Sequence, residues 1–146
     1  EIASCLVGSE MCIRDRHMKE MSRLTGIPVE DLREDRIQIL KKFADGYQVT
    51  CVLKDSRTLI ADKANEICLN LTGNSAMAKA GSGDVLAGVI AGFMVQEKDT
   101  KKAARLGTYV HGLAGDLAKF EKGVYSVMAR DLIEYISKAL MKLEDE

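Results

Sequence analysis

The run Asn74-Ser75-Ala76-Met77-Ala78-Lys79-Ala80-Gly81-Ser82-Gly83-Asp84 is small and polar, and a strongly apolar stretch, Val85 to Val95, follows it directly. Glycines let successive backbone N–H groups turn toward one point, and the N-terminus of a following helix adds partial positive charge. Such a cradle suits an anion, with phosphate the natural occupant, and Ala80, Gly81, Ser82 and Gly83 are its candidate anion hole. The run lacks the G-x-x-x-x-G-K-[ST] of a P-loop. It also misses the dinucleotide fingerprint, because Leu86 stands where the third Gly or Ala belongs. Asp84 carries the reactive potential. A carboxylate at a helix N-terminus beside an anion site stays ionised and is aimed at the cradle's occupant, where it can act as a general base. Taken alone, G-S-G-D also reads as a turn with Asp84 as a helix cap.

The elements that must hold this run follow from periodicity. Met21 and Leu24 precede Gly26, which suits a short helix and its stop. After Ile27-Pro28, the residues Leu32, Ile39, Leu40 and Phe43 share one face of a second helix, with the Arg36 stem between them and Gly46 as its end. Tyr47 to Leu53 alternates as a strand, and Thr58 to Ala61 and Glu66 to Leu71 are two further β-rich runs, joined as a hairpin by Asp62-Lys63-Ala64-Asn65. An apolar helix is expected to start near Asp84. A second is expected from an N-cap at about Thr100 to Phe120, loaded with Gly107, Gly112, Ala114 and Gly115, and a third from about Ala129 to Leu143. Each helical Gly costs about 1 kcal/mol of propensity, so those glycines make sense where another element packs very close. His111, among them, reads as a packed core histidine rather than a catalytic one.

Composition narrows the field. The 146 residues carry 21 Lys+Arg against 22 Asp+Glu, a net charge of −1, which gives no nucleic-acid or membrane signature. The Val85 to Val95 run is shorter than the ~20 residues a membrane helix needs. Cys5, Cys12, Cys51 and Cys68 form no C-x-x-C pair and no zinc-finger spacing with His. No metal site is expected from side chains, and reduced cysteines suit a cytoplasmic location. Residues 1–16 break the pattern: CLVGSEMCIRDR resembles translated adapter sequence. They are expected to be a non-native or disordered segment, with residues 17–146 forming the domain.

Two separated motifs, A-G-S-G-D-V-L-A-G at Ala80 to Gly88 and G-T-Y-V-H-G-L-A-G-D at Gly107 to Asp116, together resemble the ADP-dependent NAD(P)H-hydrate dehydratases of the ribokinase-like superfamily. His17-Met18-Lys19-Glu20-Met21-Ser22-Arg23-Leu24, the Val52-Leu53-Lys54 strand running to Thr58, and Ala129-Arg130-Asp131-Leu132-Ile133 are similar to further segments of that family. The resemblance covers about residues 17 to 143 and implies an α/β chain, the C-terminal part of a ribokinase-like three-layer α/β/α domain, with the family's N-terminal half absent. It implies that Asp84 is the catalytic base and contacts the hydrated nicotinamide substrate together with His17. It also implies that Lys54, Asp55, Ser56, Arg57, Thr58 and Gly83 line an adenine nucleotide. Asp55 stands where the family usually carries Gly, and Met18-Lys19 where it often carries Pro-Gly. The implied co-substrate is ADP, or ATP, with Mg²⁺ on its phosphates. The partners are the hydrates of NADH and NADPH, and family members form homo-oligomers. Two other readings stand beside this one: a related small-molecule kinase such as a hydroxyethylthiazole kinase, and a non-catalytic nucleotide-binding fragment.

Overall fold

The computed structural model describes residues 5–8 and 11–144. Five strands form one sheet in chain order, β1 (Cys5–Gly8), β2 (Met11–His17), β3 (Thr50–Lys54), β4 (Leu59–Ala61) and β5 (Ile67–Leu69). β2 and β3 run parallel, with His17 beside Lys54, and the other neighbouring pairs are antiparallel. The crossover from β2 to β3 is helical: α1 (Met18–Thr25), α2 (Val29–Glu34) and α3 (Arg36–Tyr47). A 3-10 turn (Ser75–Met77), α4 (Ser82–Gln96), α5 (Thr100–Lys122) and α6 (Ala129–Glu144) follow the sheet.

Strand alternation builds the layers. Cys51, Leu53, Leu59 and Ala61 point to one face, where they bury Met18, Met21, Leu32, Leu40 and Phe43 of α1–α3. The intervening Val52 and Ile60 point to the other face, against Leu86, Ile90 and Ala104 of α4 and α5. A third cluster joins α5 to α6 through Val110, Ala114, Ala118, Leu132, Tyr135 and Ala139. The result is the expected α/β/α sandwich.

Several boundaries depart from the sequence reading. Residues 5–8 and 11–16 were expected outside the fold, yet they occupy β1 and most of β2; the remainder of that segment lies outside the described residues. Strand pairing asks only for an extended backbone with donors and acceptors in register, which the five β2–β3 residue pairs supply. The accommodation is imperfect, since Arg16 is 4 % exposed and its Nε and Nη2 have no hydrogen-bond partner among the described residues.

The second expected helix is two, broken at Asp35, and α3 continues past Gly46 to Tyr47. The Phe43 and Tyr47 rings, one turn apart with centroids 4.6 Å from each other, favour that last turn. β3 therefore starts at Thr50. The N-cap of α5 is Asp99, not Thr100: its Oδ1 accepts from Lys101 N at 2.9 Å and Lys102 N at 3.3 Å, while Thr100 Oγ1 pairs with Thr50 Oγ1 at 2.8 Å. The hairpin between β4 and β5 is as expected, with Asn65 in the left-handed region (φ 67°). Cys51 and Cys68 lie in β3 and β5, and neither is in a disulfide.

Candidate functional site

Parallel strands present their C-terminal ends to the same edge, which is where open α/β sheets bind ligands. Here that edge brings His17, at the end of β2, beside Lys54, at the end of β3. A cleft of about 910 Å³ opens there, and α4 points its N-terminus into it. Of the residues expected to hold a nucleotide, Lys54, Asp55, Ser56, Arg57, Thr58 and Gly83 all line this cleft, and so does His17. Four cations, Lys54, Arg57, Lys79 and Lys119, face one carboxylate, Asp55, and that carboxylate is 3.5 Å from Arg36. The balance suits a polyanion. Asp55 does not need a glycine's backbone, since Gln48 and Asn65 are the non-glycine residues with positive φ among those described.

The α4 N-terminus is built by its glycines. Gly81 is the N-cap at φ 88°, and a Cβ there would lie 3.2 Å from Ala129 Cβ, so both conformation and space call for glycine. Ser82 N donates to Lys79 O at 3.2 Å and Val85 N to Gly81 O at 3.1 Å, which leaves the Gly83 and Asp84 amides as first-turn donors for a ligand. A Cβ on Gly83 would stand 3.1 Å from Lys54 Nζ, so the ammonium lies directly over that turn. Ser82 and Gly83 of the expected anion hole line the cleft. Ala80 and Gly81 do not; they form the turn that delivers the other two.

Asp84 is placed differently from the expectation. It is neither the helix cap nor part of the cleft lining. It is exposed at the third position of α4 and lines a second recess of about 480 Å³ with Val85, Gly88, Val89, Ile133 and Ile136. Helix phase is the cause. With Gly81 as cap, Asp84, Val85, Gly88 and Val89 fall on one stripe, while Ser82 and Leu86 turn toward the cleft and sheet.

The sequence reading passed over the cleft's far wall, supplied by the Gly107 to Asp116 motif of α5. Gly112 lets the 70–74 loop lie directly on the helix; a Cβ there would come within 2.1 Å of Thr72 Oγ1 and 2.7 Å of the Thr72 carbonyl carbon. Thr72 Oγ1 is 3.0 Å from Tyr109 O, and Asn70 Nδ2 is 3.2 Å from Thr108 O. Asp116 accepts from Gly73 N at 2.9 Å and Asn74 Nδ2 at 2.8 Å. The close-packing glycines were the signal for this wall.

His111 and Ser82 sit on the cleft floor. His111 is 7 % exposed, and its pKa is lowered to about 4, chiefly by burial; a hydrogen bond to the Ser82 backbone works against that and the Lys54 charge adds to it. Its imidazole is neutral at pH 7. Among the described residues no cluster of three His, Cys, Asp or Glu side chains is arranged to hold a metal ion. No described helix is long and apolar enough to cross a membrane.

Comparison with known proteins agrees with this geometry. The chain is 44 % identical over 130 residues to a bifunctional NAD(P)H-hydrate repair enzyme Nnr of Moorella thermoacetica, covering 89 % of this chain and 24 % of that one. It matches the crystal structure of an ADP/ATP-dependent NAD(P)H-hydrate dehydratase from Bacillus subtilis, co-crystallized with ATP/Mg²⁺, at TM-score 0.85 and 34 % identity, covering 89 % of this chain and 48 % of that one. A hydroxyethylthiazole kinase from Pyrococcus horikoshii shares the fold at TM-score 0.72 with 16 % identity, covering 86 % of this chain and 48 % of that one. The chain therefore spans from a quarter to about half the length of the proteins it matches. Residues 13–138 match the NAD(P)H-hydrate dehydratase family, and the chain belongs to that family.

Proposed function

We propose that this chain is the nucleotide-binding part of an enzyme that dehydrates the S epimer of hydrated NADH and NADPH, with ADP as phosphoryl donor. The observation that carries the reading is the division of labour at the start of α4. Ser82 and Gly83 face a cationic cleft, and the next residue, Asp84, faces a separate recess. The nucleotide occupies the cleft, with its phosphates on the α4 amides and Lys54. The hydrated nicotinamide approaches from the Asp84 side, so donor and acceptor meet across one helical turn. Asp84 takes the proton of the C6 hydroxyl as it attacks the terminal phosphoryl group. The Gly83 and Asp84 amides hold charge on that group in transit while its bond to the departing AMP breaks; the C6–O bond of the new phosphate ester then breaks, a C5 proton is lost to solvent, and phosphate leaves as the dihydropyridine is restored. His17, at the mouth of the cleft, is the second substrate contact.

The residues present fit a nucleotide. Mg²⁺ would be held chiefly through the nucleotide's phosphates and its own waters. Residues 17–146 are read as the functional unit, since every side chain given a role lies within them; residues 13–16, which the family match includes, pair with β3. The cytoplasm is its proposed location. One observation favours a nucleotide-binding piece without turnover for the chain by itself: among the described residues, the Asp84 recess is walled by α4 and α6 alone.

The decisive experiment follows the return of dihydronicotinamide absorbance from hydrated NADH with ADP and Mg²⁺, using a form extended to its relatives' full length. Asp84→Asn should slow turnover by about 10²–10⁴-fold while ADP still binds. Near-normal turnover by that variant would return Asp84 to a structural role.

A further inference from the structure

The cleft floor holds two polar atoms that the proposed reaction does not use. Ser82 Oγ and His111 Nε2 are both buried, each residue being 7 % exposed, and neither atom has a hydrogen-bond partner among the described residues. Both residues line the cleft. They are neighbours, because the His111 ring bonds the Ser82 backbone, which leaves Nε2 as the unpartnered ring atom. Orphaned polar groups at such depth are costly unless a ligand completes them. The adjoining first turn of α4 offers amide donors and Lys54 Nζ lies over it, so the ligand group this place favours is an anion.

We propose that Ser82 Oγ and His111 Nε2 together bind one phosphate oxygen of the nucleotide, and that His111 takes up a proton as the phosphate arrives. This rests on the nucleotide reading given above and adds two contacts to it. With one ring nitrogen committed to the Ser82 backbone, the neutral ring presents Nε2 as an acceptor, and protonation turns it into a donor. Without a ligand the proton is disfavoured by burial and by Lys54. The charged and titratable groups around the same cleft are His17 from β2, Lys54, Asp55 and Arg57 from β3 and its turn, Lys79 ahead of α4, and Lys119 on α5. Cations predominate, so the cleft's own charges disfavour the extra proton and a bound phosphate reverses the local balance.

The test is calorimetric titration of the 146-residue chain with ADP and, separately, with adenosine, in buffers of different ionisation enthalpy near pH 6.5. His111→Gln and Ser82→Ala should each weaken ADP about tenfold or more and leave adenosine unchanged. Wild type should take up a fraction of a proton with ADP, and His111→Gln should not. Unchanged ADP affinity in both variants overturns the proposal, as does an equal loss for adenosine, which would mean a collapsed cleft. Proton uptake that persists in His111→Gln overturns the protonation step. Failure of wild type to bind ADP at all overturns the nucleotide reading itself.

Discussion

Replacing Gly112 by Ala tests whether the 70–74 loop rests on α5 as described. The added Cβ would sit 2.1 Å from Thr72 Oγ1, 2.7 Å from its carbonyl carbon and 2.8 Å from its Cβ. Carbon contacts are comfortable at about 3.5–4.0 Å, so the backbone must part by roughly 1 Å. A rotamer change alone cannot relieve this, because one of the clashing atoms is main chain. The shift also pulls Thr72 Oγ1 from Tyr109 O and Gly73 N from Asp116. Overpacking costs about 1–3 kcal/mol, and two weakened hydrogen bonds cost about 1–2 kcal/mol more. Better helix propensity offsets about 1 kcal/mol. The net expectation is a loss of about 1–4 kcal/mol, seen in urea unfolding followed by circular dichroism, together with weaker ADP binding because the loop lines the cleft. Gly92→Ala is the control. It lies in α4 with nothing within 4 Å of its added carbon, and should gain up to about 1 kcal/mol. If Gly112→Ala proves as stable as wild type while Gly92→Ala is stabilised, the loop does not lie against the helix and the description of the cleft wall fails.

Two further outcomes are expected. Asp116→Ala removes the acceptor for Gly73 N and Asn74 Nδ2 and should cost about 2–3 kcal/mol in the same unfolding assay; a change below about 0.5 kcal/mol would show that the loop is held by other means. His111 makes acid stability informative. Its folded pKa of about 4 lies below the unfolded value near 6.5, so the unfolded chain binds the proton first. The stabilisation from keeping the ring neutral is complete above pH 6.5 and is lost as pH falls through about 4, in total roughly 3 kcal/mol. His111→Gln should flatten that part of the pH profile, and an identical slope in the variant would mean that the imidazole is not buried.

What was legible in the sequence was local. Gly26 closes α1 in the left-handed conformation expected of a helix stop, with φ 72°. The β4–β5 hairpin follows its turn residues, and the alternation of Cys51, Val52 and Leu53 sorts them onto opposite faces of the sheet. Boundaries set by tertiary partners were not legible. Thr100 looks like a cap, but its hydroxyl is drawn to Thr50, fifty residues away, and Asp99 caps in its place. Asp35 interrupts the second helix although the apolar stripe passes through it unbroken.

The same distinction governs the direction in which Asp84 points. Its type and its place beside the glycines mark it as reactive, but the direction in which a first-turn side chain points depends on which residue caps the helix. A cap at Asp84 and a cap at Gly81 differ by three residues, about 300° of helix rotation at 3.6 residues per turn. The left-handed backbone of Gly81, crowded by Ala129 from α6, settles the phase. That contact joins residues 48 positions apart and leaves no trace in the local text. Because of it, the amides and Lys54 lie on one side of the α4 terminus and Asp84 on the other, and the proposed reaction depends on that separation, since base and phosphoryl donor would reach one hydroxyl from different directions.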